Sequence, residues 1–217
     1  LGRAEKLITG LGGEKATWSN NSAKLGVAYT NLTGDILVSA GVIAYLGVFT
    51  SAYRGDATRR WQEALSTEQI PASETFSLAQ TVGNPVLLNM WVSNGLPNDQ
   101  VSLDNAVIQS NSRRWPLMID PQSQAVGWIK NMKHEGVNPR SGVTYPLNLK
   151  EMRLDTKYEK PLKQAIEFGD VVLISNIGET LDPLLDPVLK KATFKLPGAS
   201  GLSIKVGDDT IDYSNDF

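Results

Sequence analysis

The chain has 217 residues, of which 41% are hydrophobic and 20% charged, and its formal net charge is −2 at pH 7. This composition is that of an ordinary globular protein, and the charge gives no electrostatic reason to expect nucleic acid or an anionic membrane as a partner. The sequence has no cysteine and one histidine, which excludes disulfides and thiolate metal sites and argues against a histidine-rich zinc site or a Ser-His-Asp triad.

Spaced apolar positions over residues 1–31 predict one or two helices, with a break at the glycines of residues 10–13. Residues 10–17, GLGGEKAT, superficially resemble a phosphate-binding loop. That motif requires glycine before the lysine and Ser or Thr after it, whereas Glu14 precedes Lys15 and Ala16 follows it. A glycine-rich break in a helix is therefore the better interpretation.

Residues 32–35, LTGD, are predicted to form a loop, with Asp35 placed to favour the N-terminus of the next helix. The apolar run of residues 36–49 would be about 21 Å long as a helix, short of the roughly 30 Å hydrocarbon core of a bilayer. We therefore expect a buried core helix and no membrane span. Residues 54–65 predict an amphipathic helix, in which Arg54, Arg59 and Arg60 form a solvated face.

The middle of the chain is less regular. Residues 86–92 are apolar enough for a short helix or a strand, and the pattern does not decide between them. Residues 93–99 are dense in turn formers, and residues 106–108 are a candidate for a short strand.

Residues 113–132, RRWPLMIDPQSQAVGWIKNM, are the most informative segment. The short apolar run of residues 115–119 before Asp120 and Pro121 predicts a buried strand. Apolar side chains then recur at helical spacing from Ala125 to Met132, and Gly136 is a plausible end of that helix. Residues 137–146 are expected to form a loop. Asp120 is thus expected at the C-terminal end of a strand and before a helix, which is where open α/β sheets bind ligands.

Asp120 has two interpretations. It can hold magnesium, as the acidic residue at the end of a Walker B strand does, or it can cap the following helix. The pattern favours the cap, because Asp followed by proline at the first helical position is a good N-terminal pair. Pro121 also stands where an active ATPase carries a glutamate, and loss of such a base typically costs about 10²–10⁴-fold in rate.

The last third of the chain carries the clearest elements. We predict a helix over residues 158–168 closed by Gly169, a strand over residues 171–175, and a helix over residues 181–189 that Pro187 kinks or shortens. A hairpin is expected near the C-terminus, pairing residues 202–206 with 211–213 through a turn at 207–210. Strands that alternate with helices imply an α/β fold with a mostly parallel sheet covered on both faces.

The sequence leaves two interpretations for Asn176 and predicts structural roles for several other polar residues. Asn176, at the end of the 171–175 strand, is either a sensor of a terminal phosphate or a turn residue before Gly178. Arg113 and Arg114 are interpreted as solvated flanks of a strand. His134, with Lys130 and Lys133, is expected at a helix C-terminus, where cations suit the helix dipole.

Together these segments resemble the dynein heavy chain, specifically the fifth AAA+ module of its motor ring, and most closely an axonemal dynein. The residues that carry the resemblance are GDIL at 34–37, IAYLGVFT at 43–50, YR at 53–54, NGLPND at 94–99, RWPLMIDPQ at 114–122, WIKNM at 128–132, FG at 168–169 and NIGETLDP at 176–183. They extend over nearly the whole chain.

The resemblance implies an AAA+ P-loop-NTPase-like large subdomain over residues 31–217, mostly parallel in its sheet and flanked by helices. Residues 1–30 would be a helical passage from the preceding module after the returning stalk helix. The family continues beyond this point into a further strand and a small helical subdomain that includes the stalk-supporting buttress, so we expect the large subdomain to be incomplete here.

The same resemblance places degenerate nucleotide-site positions on this chain. Thr33, Gly34 and Asp35 would stand where a phosphate loop precedes its helix, Asp120 at the Walker B position with a weak claim to metal, and Asn176 at the first sensor. Because the anchoring lysine and polarising glutamate are both missing, the resemblance implies no catalytic residue and no bound cofactor, the alternative being ATP or ADP with magnesium.

The function implied is that of a noncatalytic ring module of an ATP-driven microtubule motor, which transmits conformational change between ring modules and the stalk. The alternative is a module that binds ATP and hydrolyses it slowly. Expected partners are neighbouring modules of the same heavy chain, the stalk and buttress helices and, through the parent motor, the microtubule, in the cytoplasm and the ciliary or flagellar axoneme. A third possibility is that Arg113, Arg114 or Arg153 completes the pocket of the fourth module.

Overall fold

The computed structural model describes residues 2–132, 136–137, 144–145, 149–154, 157–198 and 200–217. Its helices are α1 Gly2–Gly41, which runs directly into a π-helical turn at Val42–Leu46 (the π turn), α2 Ser51–Thr67, α3 Leu78–Thr81, α4 Pro85–Ser93, α5 Gln100–Asn111, α6 Gln124–Asn131, α7 Glu159–Phe168, a 3-10 turn at Pro183–Leu185 and α8 Asp186–Leu189. Its strands are β1 Gly136–Val137, β2 Thr144–Tyr145, β3 Leu149–Arg153, β4 Val171–Ser175, β5 Thr193–Phe194, β6 Leu202–Val206 and β7 Asp209–Tyr213.

The chain divides into two compact units. Unit 1 comprises Leu1–Leu88 and Asn98–Asn111, and unit 2 comprises Asn89–Pro97 and Ser112–Phe217. Within the described residues unit 1 is helical, whereas unit 2 contains every strand.

The long helix α1 corrects two predictions. It is not broken at residues 10–13, and residues 32–35 lie inside it as helix instead of forming a loop. A glycine in a helix interior costs only about 1 kcal/mol relative to alanine, so glycines alone do not end a helix. All side chains from Gly10 to Thr30 are exposed, whereas Val38, Ser39, Val42 and Leu46 are buried.

Residues Gly10–Leu46 form a helical stretch long and apolar enough, by length and composition alone, to cross a bilayer. Core helices of globular proteins meet the same criterion. The buried core helix predicted over residues 36–49 is confirmed only on one face. Val38, Val42 and Leu46 are buried, whereas the large apolar side chains of Ile36, Leu37, Tyr45, Val48 and Phe49 are exposed, and the helical stretch ends at Leu46.

Helices α2, α4 and α5 decide the uncertain segments of the sequence. The amphipathic helix is confirmed as α2, and residues 86–92 are helical within α4, whose start is capped by Asn84 Oδ1 accepting from Val86 N at 2.9 Å. The predicted strand at residues 106–108 is wrong, because these residues lie in α5. Asp99 starts that helix by accepting from Ser102 N at 3.0 Å and from its hydroxyl at 2.7 Å.

Unit 2 has its core around α7. Leu162, Ala165 and Ile166 of this helix pack with Met152 of β3 and with buried side chains of β6. The clean i, i+3, i+4 spacing on α7 explains why this face is buried. The predicted helix and its end at Gly169 are confirmed, with Gly169 at φ +75°.

The strands of unit 2 agree with the predictions only in part. β4 is confirmed and pairs in parallel with β3, Leu149 opposite Val171. The hairpin is confirmed as β6 and β7, with the two-residue turn at Gly207 (φ +64°) and Asp208, and β5 adds to it antiparallel. Among the described residues β3–β4 is the only parallel pair, so a mostly parallel sheet covered on both faces is not seen there.

The predicted strand at residues 115–119 is wrong. The segment has no ladder partner in the described part of the chain, and Leu117 and Ile119 are 73% and 92% exposed. Pro116 has no N–H to donate to a ladder. Trp115 is held instead through its side chain, donating from Nε1 to the Val188 carbonyl at 3.0 Å and lying under the ammonium of Lys191.

The helix after this segment is shorter than predicted. α6 ends at Asn131, and Gly136 begins β1, which pairs antiparallel with β2 inside the predicted 137–146 loop. Lys133 and His134 lie outside the described residues. The 181–189 helix is likewise reduced to a 3-10 turn and the four-residue α8, as Pro187 led us to expect.

Candidate functional site

Gly34 lies in α1 at a point where the helix backbone meets the loop of residues 70–73. Its N–H donates to the Pro71 carbonyl at 3.1 Å. A Cβ built on Gly34 would lie 2.4 Å from that carbonyl oxygen and 2.7 Å from Ala72 Cβ. The glycine is therefore required for close packing of two backbones and is not part of an open phosphate loop.

Asp35 is buried and has both carboxylate oxygens occupied by one residue. Oδ1 accepts from Ser73 N at 2.8 Å and Oδ2 accepts from Ser73 Oγ at 2.6 Å. The Asp35 carbonyl also accepts from the buried hydroxyl of Ser39 at 2.7 Å. We call the contacts of Gly34 and Asp35 with Pro71 and Ser73 the α1 anchor. Thr33, beside it, is exposed.

Asp120 caps α6. Its Oδ1 accepts from Gln124 N and its Oδ2 from Val126 N, both at 2.9 Å. The N–H groups of the first helical turn have no partner inside the helix, so the carboxylate satisfies two of them. The predicted cap is confirmed by these two bonds. Because each carboxylate oxygen has two lone pairs, the magnesium position stays a prediction.

Asn176 directly follows β4 and is exposed, with φ +57°. Asparagine is among the few residues that adopt this left-handed conformation readily. Its geometry is that of the turn residue, which was one of the two interpretations of the sequence.

The five predicted positions do not share one compact unit. Thr33, Gly34 and Asp35 belong to unit 1, whereas Asp120 and Asn176 belong to unit 2. Within the described residues no group of three or more His, Asp or Glu side chains is arranged to hold a metal ion.

A shallow groove of about 600 Å³ in unit 1 was not suggested by the sequence. It runs between α2 and the loop after it, and is lined by Arg59, Gln62, Glu63, Ser66, Gln69, Ile70, Pro71, Ala72, Ser73 and Glu74. Its arginine, Arg59, pairs with Asp56 at 2.5 Å and with Glu63 at 2.8 Å. Hydrogen bonds to these carboxylates raise the pKa of Arg59, and the two acidic side chains balance its positive charge.

Arg54 does not lie on the solvated face predicted for it. Its guanidinium donates to the carbonyls of Phe49 and Gly47, each at 2.9 Å, and to Asn105 Oδ1 at 2.7 Å. Burial lowers the pKa of Arg54, and the nearby carboxylate of Asp104 opposes that shift. Arg54 thus binds the carbonyls that follow the π turn, a role that spacing on a helical wheel does not reveal.

The three arginines proposed to reach a neighbouring pocket lie in different environments. Arg113 and Arg114 are exposed, as expected of a solvated flank. Arg153 ends β3 and takes part in an interaction there.

A family model described as "ATP-binding dynein motor region" matches residues 89–217. Over 217 residues the chain is 46% identical to "Dynein axonemal heavy chain 3" of Mus musculus and to its Homo sapiens counterpart. Over 218 residues it is 40% identical to "Dynein-1-beta heavy chain, flagellar inner arm I1 complex" of Chlamydomonas reinhardtii. These alignments include 100% of this chain and 5% of each relative.

Proposed function

This chain belongs to the family of ATP-binding dynein motor regions, and we propose that it is a ring module of a dynein heavy chain that transmits conformational change without hydrolysing ATP itself. The chain spans about 5% of the length of the relatives that it matches, so the motor activity belongs to the proposal. The module is the fifth of the ring, and its partners are the neighbouring modules, the stalk and buttress helices and, through the whole motor, the microtubule. Its place is the axoneme of a cilium or flagellum.

The observation that carries the noncatalytic role is the state of Asp35. Both of its carboxylate oxygens accept hydrogen bonds from Ser73, and the segment around it is helical. A phosphate loop needs free backbone N–H groups and a lysine directed at the phosphates. Here the Gly34 N–H is bonded to Pro71, and no lysine occurs between residues 25 and 129.

Asp120 supports the same conclusion. A carboxylate that holds magnesium offers its oxygens to the ion or to the ion's water shell. Both oxygens of Asp120 already accept from backbone N–H groups of α6, so this carboxylate has a structural role at the start of that helix. Pro121, next in the chain, has no side chain able to take a proton from water.

The rival function is nucleotide binding with slow hydrolysis. The description of the family as ATP-binding favours it. In that case magnesium or its water shell would bind Asp120 through the lone pairs that the helix cap leaves free.

Isothermal titration calorimetry of the 217-residue chain separates the two. We expect no saturable heat with ATP or ADP up to millimolar concentration, with or without magnesium. Asp120→Ala is expected to leave that result unchanged.

The matched control is Asp99→Ala, which removes another helix-capping carboxylate and leaves Asp120 in place. Micromolar, magnesium-dependent binding with steady release of phosphate, both lost in Asp120→Ala and kept in Asp99→Ala, would establish the rival and reject the noncatalytic proposal.

A further inference from the structure

Asn94 and Gly95 are the only asparagine in this sequence that is followed directly by a glycine, and that glycine. Such a pair has a covalent chemistry of its own, because the backbone nitrogen of the glycine can attack the side-chain amide of the asparagine. Glycine has no Cβ to obstruct this approach. The pair directly follows α4 and lies within unit 2, so its reactivity depends on how the end of α4 is held.

The residues after α4 form a Schellman motif, which we call the α4 cap. Gly95 N donates to the Val92 carbonyl and Leu96 N donates to the Trp91 carbonyl, each at 3.0 Å. These are the two hydrogen bonds that define the motif. Gly95 has φ +100°, and Leu96 and Trp91 are both buried, as the apolar pair that accompanies such a cap usually is.

Asn94 is held at three of its atoms. Its side-chain nitrogen and its backbone nitrogen each donate to the Met90 carbonyl at 3.0 Å. Its own carbonyl accepts from Asn131 Nδ2 at 2.9 Å, which joins the end of α4 to α6. Both reacting groups of the pair, the glycine nitrogen and the asparagine amide, are therefore engaged in hydrogen bonds.

We propose that Asn94 is a site of succinimide formation, a reaction that the α4 cap slows and that proceeds when the cap opens. In the open state a base from the solvent removes the proton of Gly95 N, and this nitrogen attacks Asn94 Cγ to close a ring. The Cγ–Nδ2 bond breaks, and the leaving nitrogen takes up a proton and departs as ammonia. Water then opens the ring at Cγ to give aspartate, or at the main-chain carbonyl to give isoaspartate.

Both products weaken the contact between α4 and α6. Aspartate replaces the nitrogen that donates to Met90 by a carboxylate oxygen, which repels that carbonyl. Isoaspartate directs the main chain through Cγ and lengthens it by one carbon, so that Gly95 N and Leu96 N are displaced from the carbonyls of α4. The modification is thus a one-way loss of the α4 cap. It involves no nucleotide and no partner, so it holds or fails independently of the proposed ring function.

Incubation of the 217-residue chain in mildly alkaline buffer tests the proposal. Peptide mass spectrometry measures aspartate and isoaspartate at Asn94, and ammonia is measured in the same sample. A synthetic peptide of residues 90–98 gives the rate without the cap. We expect Asn94 to react at least about tenfold more slowly in the folded chain than in the peptide, because the reaction has to wait for local opening.

Two substitutions in α6 separate the cap from the rest of the helix. Asn131→Ala removes the bond to the Asn94 carbonyl and should speed the reaction in the folded chain about two- to tenfold, the usual contribution of one hydrogen bond. Lys130→Ala is the matched control, because it removes an exposed ion pair with Glu151 and leaves the bond to Asn94 in place. Its rate at Asn94 should equal that of the unchanged chain.

Asn111 provides a reference within every sample. It is the last residue of α5, and its side chain donates to the Val107 carbonyl at 2.9 Å. Ser112 follows it instead of a glycine, and α5 belongs to unit 1. The rate at Asn111 should therefore be lower than that at Asn94 in unfolded chain and the same in all three proteins when they are folded.

Three results would overturn the proposal: equal rates at Asn94 in the folded chain and in the peptide, no product at Asn94 in the peptide, or equal rates in Asn131→Ala and Lys130→Ala. If Asn131→Ala does not fold, the urea dependence of the unchanged chain decides. The rate at Asn94 should rise at urea concentrations too low to unfold unit 2, and a rise only together with the loss of circular dichroism would count against opening of the α4 cap.

Discussion

Two glycines of the same helix have opposite environments. Gly34 lies against the backbone of Pro71, whereas a Cβ on Gly26 would meet nothing within 4 Å. The difference is invisible in the sequence, where both are single glycines among polar and apolar neighbours. It shows why the LTGD segment was predicted as a loop, since a glycine kept for a tertiary contact looks like a glycine kept for a turn.

The pair gives a direct prediction. Gly34→Ala should destabilise unit 1 by about 1–3 kcal/mol, the usual cost of forcing an extra carbon into a packed site. Gly26→Ala should cause no loss, because alanine is the better helix former and the added carbon reaches only solvent. Urea unfolding of both variants, followed by circular dichroism, measures the difference. Equal stability of the two variants would contradict the close contact at Gly34.

The sequence predicted the local structural roles of some candidate site residues, but not the contacts that residues distant in sequence make with them. The Asp-Pro pair and the strand-end position of Asn176 are local patterns. Asp120 does cap a helix and Asn176 does adopt a turn conformation, but α6 begins at Gln124, so Pro121 is not at the first helical position that the sequence predicted. The role of Asp35 depends on Ser73, a residue 38 positions away. No local pattern predicts such a partner.

At the level of elements, the predictions succeeded where the signal is local. α7 has its apolar spacing and Gly169 within eleven residues, and the β6–β7 hairpin has its two-residue turn at Gly207. The strand predicted at residues 115–119 failed because a strand exists only through a paired neighbour, which composition cannot supply. The strand predicted at residues 106–108 failed because the Asp99 cap starts a helix that includes it.

One contact between elements should respond to pH. Tyr158, just before α7, donates from its hydroxyl to Asp182 Oδ2 at 2.5 Å, and Asp182 also caps the 3-10 turn through Leu184 N. The Tyr158 hydrogen bond lowers the pKa of Asp182. Burial, with help from Asp182, raises the pKa of Tyr158.

Two pH limits follow, and Tyr158→Phe should weaken both. The stability contributed by Asp182 is present above its ordinary pKa of about 3.9 and is lost as pH falls through its lowered pKa. The stability contributed by Tyr158 is present below about pH 10 and is lost as pH rises through its raised pKa. Melting temperatures measured from acid to alkaline pH should fall less steeply at both ends in Tyr158→Phe, and identical profiles would exclude this coupling.

The whole chain comprises two compact units, each with fully buried side chains of its own. Leu78 belongs to unit 1 and Leu162 to unit 2, and each is 1% exposed. The sequence predicted a domain boundary near residue 30, and that boundary stays a prediction. It differs from the boundaries between the two compact units.

Separate cores predict separate unfolding. Differential scanning calorimetry should show two transitions, because chains with several cores depart from two-state behaviour. Leu78→Ala should lower one transition and Leu162→Ala the other, each by removing about 2–5 kcal/mol. A single transition that both substitutions lower equally would contradict this expectation.

Because α1 is one uninterrupted helix, a small tilt at Gly34 would displace its N-terminal end by a much larger distance. From Gly34 back to Gly2 the helix extends about 48 Å at 1.5 Å per residue. A tilt of 5° at Gly34 would move the N-terminal end of the helix by about 4 Å over that length. Small rearrangements beside Pro71 and Ser73 would in this way be magnified into displacements as large as a side chain at the other end.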